Sequence, residues 1–295
     1  KSLFGPPLSR PRYEFIERIL ENFGRMPQNV DGIDMGRIEQ VQRGHPVIAG
    51  ELDLTSAEWD CIKSWYDGAI RYLDNHIGQL VSHLQSLDVF ENTLLVVTSD
   101  HGDHFGEKGL SSHMFSLSDH LLHVPLVISP PETSQGKVEI NNQVTLIDLF
   151  PTFLESAGIN YGDEYPLSES LLDFEESRYH DYTFAEYARP TRTIETVERY
   201  HPRFNAEARG FDRSLQSVRS DEYKLIKASD GTIELYRWRA DPGETDDISS
   251  EHPEIVKELC EVIDHDLGTF NSNGGEKEEI TNQNLRKHLE HMGYL

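Results

Sequence analysis

The chain is short of cysteine, short of basic residues and without any long apolar run. Cys61 and Cys260 are its only thiols in 295 residues. Two cysteines so far apart make no disulfide framework, so the expectation is a fold held by its core, with both thiols free and buried. No stretch approaches the roughly 20 apolar residues of a membrane span. Lys and Arg number 27 against 52 Asp and Glu, a formal net charge of −25. Such a surface repels nucleic acid and anionic membranes, and neither is an expected partner. The acids are spread along the chain, which points to a protein kept soluble at high salt, where self-repulsion is screened. There is no internal repeat. The sequence opens Lys1-Ser2-Leu3 without an initiator Met, as a processed chain or a piece of a longer one would. A signal peptide would lie upstream of residue 1, so secretion is left open and the cytoplasm is slightly favoured.

What is present suffices for a sizeable core: hydrophobic residues make up 37%. Residues 1–50 read as a surface excursion with one short helix, Tyr13 to Asn22. Thr55 with Glu58 three residues on is a capping-box pattern. Trp59, Ile62, Tyr66, Ala69, Leu73, Ile77, Leu80 and Leu84 then recur at three- and four-residue steps, predicting an amphipathic helix that ends near Leu87. Two runs, NTLLVVTS (92–99) and HVPLVIS (123–129), are apolar and β-branched without alternation, as strands buried on both faces of a parallel sheet are. QVTLIDLFPTFLESAG (143–158) starts extended and turns helical, with Pro151 in the first turn and Gly158 as its stop. Residues 160–212 are polar and without a dependable period, and read as a long connection. From Ser214 the pattern alternates, with Asp230-Gly231 as a hairpin turn. A helix over His252 to Leu267 packs behind this small antiparallel sheet, and a last helix is expected at Thr281 to Met292. The division expected is 1–212 for the main α/β unit and 213–295 for the smaller one.

The densest chemistry is Thr98-Ser99-Asp100-His101-Gly102-Asp103-His104-Phe105-Gly106-Glu107-Lys108-Gly109, with His113 following. Asp100 and His101 fall where a buried strand ends, and open α/β sheets bind ligands just beyond the carboxyl ends of strands. A carboxylate beside an imidazole offers donors to one divalent cation. Gly102, Gly106 and Gly109 let the loop turn back over the site.

This stretch resembles the sulfatase family of the alkaline-phosphatase-like superfamily. That family's pattern is an apolar strand, Thr-Ser-Asp-His/Asn-Gly, a Gly-Glu-x-Gly loop, a Lys or His, and a Val-Pro-Leu-Ile strand. Here the matching segments are NTLLVVTSDHG, GEKG, His113 and HVPLVIS. Tyr72-Leu73-Asp74, TLIDLFPTFLESAGI, SVRSDEYKLIK and LYRWRADPGETDDIS match further family segments in the same sequential arrangement, over residues 55–250. The resemblance implies an α/β fold with a mainly parallel sheet flanked by helices, plus a small C-terminal antiparallel sheet with a helix. It implies a hydrolase of sulfuric esters, small-molecule or carbohydrate, that uses a divalent metal and a formylglycine made from Cys or Ser. Ca²⁺ is the family's usual ion; the imidazole of His101 keeps Mn²⁺ or another transition ion open. Carried over residue by residue, Asp100 and His101 are metal ligands. His113 is the catalytic group that contacts the sulfate and protonates the leaving oxygen.

The sequence also departs from the family. Two consecutive Asp that complete the metal site are absent, and so is the Cys/Ser-x-Pro-Ser-Arg nucleophile motif; Cys61 is followed by Ile62-Lys63-Ser64. The expectation is therefore that this chain carries half a metal site and is inactive alone. The alternatives are a phosphatase, phosphodiesterase or phosphonate ester hydrolase of the same superfamily, and a non-catalytic binding relative. Among the other residues, His104 is read as a solvent-facing loop residue with a weak claim to substrate contact. Asp103 and Glu107 are expected to organise the glycine loop, Lys108 to be solvated and His123 to be structural. Asp119 and His120 either line the pocket or cap a helix, with capping preferred. Arg189, Arg192 and Arg199 form a basic cluster with a minor claim on an anionic substrate. His201, His252, His265, His288 and His291 share no ligand spacing.

Overall fold

The computed structural model describes residues 33–41, 45–131, 139–160, 168–172 and 180–270. The helices expected at Tyr13 to Asn22 and Thr281 to Met292 lie outside them. Two short helices, α1 (Met35–Val41) and α2 (Pro46–Ala49), lead into the long α3 (Ser56–Ser86). The capping box forms as read: Glu58 N–H donates to Thr55 Oγ1 at 3.3 Å, and Thr55 N–H donates to Glu58 Oε2 at 2.8 Å. Glu58 is buried, which opposes ionisation. The Thr55 backbone and the Arg37 guanidinium nonetheless hold its carboxylate below the ordinary range.

The periodicity of α3 is correct, but its burial is not what an amphipathic stripe predicts. Leu73 is 59% exposed, and Ile70, Leu80 and Leu87 are also exposed. Among the described residues, no element covers this face. The strands β1 (Leu95–Thr98) and β4 (Leu126–Ser129) are likewise only half-buried, with Val127 61% exposed. They pair with each other antiparallel, Val96 opposite Ile128 and Val97 opposite Val127. Two-sided burial and a parallel partner for these strands are thus not found among the described residues. A continuous apolar run records what a strand is suited to touch, and here the covering surface is missing.

Between these strands lie β2 (His104–Phe105), β3 (Ser111–Ser112), which pairs with it, and the one-turn α4 (Asp119–Leu122). Helix α5 (Leu149–Ser156) follows a turn whose buried Asp148 accepts from Thr145 N–H at 2.7 Å and Glu169 N–H at 2.9 Å and contacts His180 Nε2 at 2.9 Å. That contact holds the His180 imidazole above its usual value.

Residues 160–212 are not a featureless connection. They contain β5 (Thr183–Tyr187) and α6 (Thr191–Tyr200), whose Ile194 and Val197 are buried with Ile48, Leu110 and Phe115. Strand β5 pairs with β6 (Leu215–Arg219), which continues through β7 (Lys224–Ala228) to β8 (Ile233–Tyr236), all antiparallel. The small sheet therefore draws in a strand that precedes residue 213. It was missed because TFAEY is too short and mixed to show a period. Helix α7 (Pro253–Asp266) packs behind as expected, its Leu259 and Ile263 closing a core with Val218, Leu225, Leu235 and Ile248.

A buried ion-pair cluster joins the α4 region to the C-terminal sheet. Lys224, fully buried on β7, puts its Nζ 2.6 Å from Asp119 Oδ1 and 2.6 Å from Glu244 Oε1. Glu244 Oε1 also accepts from Asp119 N–H at 3.0 Å. Asp119 is therefore an ion-pair partner of the C-terminal sheet and not the cap of α4, whose N-cap is Ser118. Removing one member of a buried pair leaves an uncompensated charge and typically costs about 3–5 kcal/mol. Lys224→Ala is expected to lower unfolding free energy by that amount in urea titrations, far more than the exposed Arg237→Ala. Equal effects would remove the linchpin role assigned to Lys224.

Candidate functional site

The turn after β1 is shaped by what it packs against. A Cβ on Gly102 would sit 2.1 Å from the carbonyl oxygen of His120, so only glycine fits. Gly102 N–H donates to Leu121 O at 2.9 Å, which locks the turn onto α4. Gly106 takes φ +101°, and a Cβ there would strike the Trp59 indole at 2.7 Å. Glu107 closes the loop from inside by accepting from Phe105 N–H at 2.5 Å, which is the organising role the sequence predicted.

This turn brings His101, Asp103 and His113 together: one ligand atom from each lies within 4.8 Å of the others, and all three are half-buried. The His101 and His113 rings stack at 4.1 Å. His101 Nδ1 lies 2.9 Å from Gly102 O. That contact fixes Nδ1 as the protonated nitrogen and leaves Nε2 with its lone pair, the state a metal-binding imidazole needs. His113 Nδ1 lies 3.3 Å from Asp103 Oδ1 and 3.1 Å from Ser112 Oγ.

Of the residues singled out from sequence, His101 and His113 are therefore adjacent. Asp100 stands slightly apart: its side chain is 69% exposed and its Oδ2 is 3.7 Å from His101 Nε2. Asp103, read as a loop organiser, joins the cluster instead. The signal available was its spacing in Asp100-His101-x-Asp103 on a turn already forced by Gly102. His45 was missed altogether. It sits at φ 65° before α2, and burial, then the charges of His113 and His201, hold its imidazole below the usual value.

His104 is a correction. It is 1% exposed on β2, with Nε2 3.3 Å from Ser118 Oγ and its ring 5.5 Å from that of His120. Strand alternation turns it inward while its neighbour Phe105 meets Tyr66. Burial, then the His120 charge, lowers its pKa to about 4. Lys108 is also not a solvated lysine: its Nζ lies 3.1 Å from Tyr236 Oη, 3.4 Å from Glu234 and 3.5 Å from Glu244. Arg189 is bound to Asp212, with Nη2 donating at 2.7 Å. His201 pairs with Glu51 at 2.7 Å. Cys61 and Cys260 are free and half-buried, and burial raises both thiols. No helix among the described residues is long and apolar enough to cross a membrane.

The sulfatase family model matches residues 53–159, the segment that holds β1, this turn and β4. Arylsulfatase K of Homo sapiens is 26% identical over 215 residues, covering 71% of this chain and 37% of that protein. The N-acetylglucosamine-6-O-sulfatase of Bacteroides thetaiotaomicron is 24% identical over 280 residues, covering 89% of this chain and 46% of the relative. A solved 2-O GAG sulfatase superposes with a TM-score of 0.61 at 18% identity, covering 90% of this chain and 54% of the other. The chain thus shares its fold with that solved sulfatase, and residues 53–159 match the sulfatase family model. It spans less than half the length of the two curated relatives.

The depressed His104 has a consequence for stability. The unfolded chain takes up its proton near pH 6.5, whereas the folded chain resists until about pH 4. The contribution of neutral His104 is thus fully present above about 6.5 and is lost as pH falls through that window. The urea midpoint of the wild type is expected to drop more steeply from pH 6.5 to 4 than that of His104→Gln. Parallel curves would contradict the buried neutral state.

Proposed function

We propose that this chain contributes one side of the active site of a sulfuric ester hydrolase. The observation that carries the reading is the convergence of His101, Asp103 and His113 on a glycine-forced turn inside the segment matched by the sulfatase model. The relatives' names add substrate classes, aryl sulfates and N-acetylglucosamine 6-O-sulfates. A small-molecule or carbohydrate sulfate ester is therefore the substrate proposed here.

The donor set fits a divalent cation. His101 Nε2 is free to ligate, Asp103 supplies a carboxylate, and Asp100 lies beside His101. A cation held there neutralises charge on the sulfate oxygens and orients the ester. Two carboxylates suit Ca²⁺, and the one imidazole also admits Mn²⁺ or another transition ion.

His113 is the proposed general acid. With Nδ1 held between Asp103 and Ser112, Nε2 is the nitrogen left to face the substrate. As the sulfur–oxygen bond of the ester breaks, Nε2–H passes its proton to the leaving alcohol oxygen. Asp103 positions the ring. The attacking group is not supplied by a Cys/Ser-x-Pro-Ser-Arg motif within residues 1–295. A formylglycine nucleophile would belong to a segment outside this sequence.

Assayed with the complete protein in molar potassium chloride, which suits the acidic surface, an aryl sulfate should be cleaved faster than the matching phosphate. Asp100→Asn should abolish turnover, and His113→Ala should lower kcat by about 10²–10⁴. A preference for phosphate would sink the sulfatase reading. By calorimetry, the 295-residue chain should bind Ca²⁺ and Mn²⁺ only weakly, with His101→Ala removing the Mn²⁺ signal. Tight binding of either ion would contradict a donor set that is incomplete.

A further inference from the structure

A cleft of about 400 Å³ opens where α4 meets the C-terminal sheet, lined by Asp119, His120 and His123 on one side and Arg219, Trp238, Arg239 and Pro242 on the other. In a chain with nearly twice as many acids as bases, its wall gathers two guanidinium groups and two imidazoles. Both arginines lie over one indole, Arg219 at 3.6 Å and Arg239 at 4.2 Å from the Trp238 ring. Trp238 is fixed by donating Nε1–H to Ser220 O at 3.1 Å.

Two nitrogens of this wall are buried without a hydrogen-bond partner: Nε of Arg219 and Nδ1 of His120. A guanidinium N–H has no option but to donate, so a buried one left unmade marks a place where an acceptor belongs. Like charge compounds the cost, since burial foremost and the nearby Arg239 lower the Arg219 guanidinium, against the pull of Asp119. The acids nearby do not cancel this wall. Asp119 is shared between Lys224 at 2.6 Å and Arg219 at 3.2 Å. Asp221, the partner of Arg239 at 2.7 Å, is 91% exposed and its charge is screened.

We propose that this cleft is an oxyanion subsite, which takes a second sulfate or carboxylate group of the substrate whose ester reacts at the His101–His113 cluster. An oxyanion between the guanidinium groups accepts their remaining N–H bonds and relieves their repulsion, and the indole beside it offers an apolar edge to a sugar ring. The cleft adjoins the cluster through α4: His120 lines the cleft with its side chain, and its carbonyl packs on Gly102 of the catalytic turn. The link to a reacting ester rests on the sulfatase reading; the binding of an oxyanion does not.

The test uses the full chain, with sodium sulfate titrated at an ionic strength held constant by sodium chloride and tryptophan emission as the readout. The expected result is a saturable change that is absent in Trp238→Phe, at least tenfold weaker in Arg239→Ala, and unaltered in His113→Ala. No saturable change, or one that survives Arg239→Ala, overturns the site. Loss in His113→Ala places the anion at the cluster and overturns it equally. A disulfated disaccharide should displace sulfate at concentrations about tenfold below those of its monosulfated counterpart, and Arg239→Ala should close that gap. Equal displacement by both sugars in the wild type overturns the assignment to a second anionic group and leaves the hydrolase reading untouched.

Discussion

The structure hangs on one buried ammonium. Lys224 is 1% exposed, with two carboxylates at 2.6 Å, and neither it nor they could be buried singly without a large desolvation cost. Because Asp119 opens α4, the pair fixes that short helix on the C-terminal sheet. Because the carbonyls of His120 and Leu121 pack on Gly102, it also fixes the turn that carries His101 and Asp103. A helix of one turn has no stability of its own. The site's geometry is therefore set from outside, by charge pairing across more than a hundred residues of sequence.

Around that junction the molecule is uneven. The C-terminal sheet and α7 enclose Val218, Leu225, Leu235 and Ile263 almost fully. The faces of α3, β4 and α5 leave Leu73, Val127 and Phe153 in solvent. Exposed apolar patches of this kind mark surfaces suited to contact. The chain spans less than half the length of two curated relatives and holds no Cys/Ser-x-Pro-Ser-Arg motif. Among the described residues, Lys224, Lys108 and Arg219 all pair with carboxylates where α4 and its preceding loop meet the C-terminal sheet.

Much of the secondary structure was legible from local pattern. The capping box at Thr55, the β-branched run ending at Thr98, the Asp230-Gly231 hairpin and the Pro253 helix all appear where spacing and turn chemistry put them. Each depends on neighbours within a few residues, which is what sequence pattern records. Strand β5 was not legible, since five mixed residues acquire their identity only by pairing with β6. The inward turn of His104 and the pairing of Lys108 were missed because both depend on partners remote in sequence.

By itself, then, the sequence determined the likeness to the sulfatase family, the turn at Gly102 and the presence of His101 and His113 beside a strand end, because those features are written in contiguous residues. Only the tertiary structure decided which carboxylate joins them, Asp103 more closely than Asp100, and that two arginines should crowd one indole beside α4. Those choices are made by packing and by the cost of burying charge. Both are sums over contacts between distant segments, and no local pattern carries them.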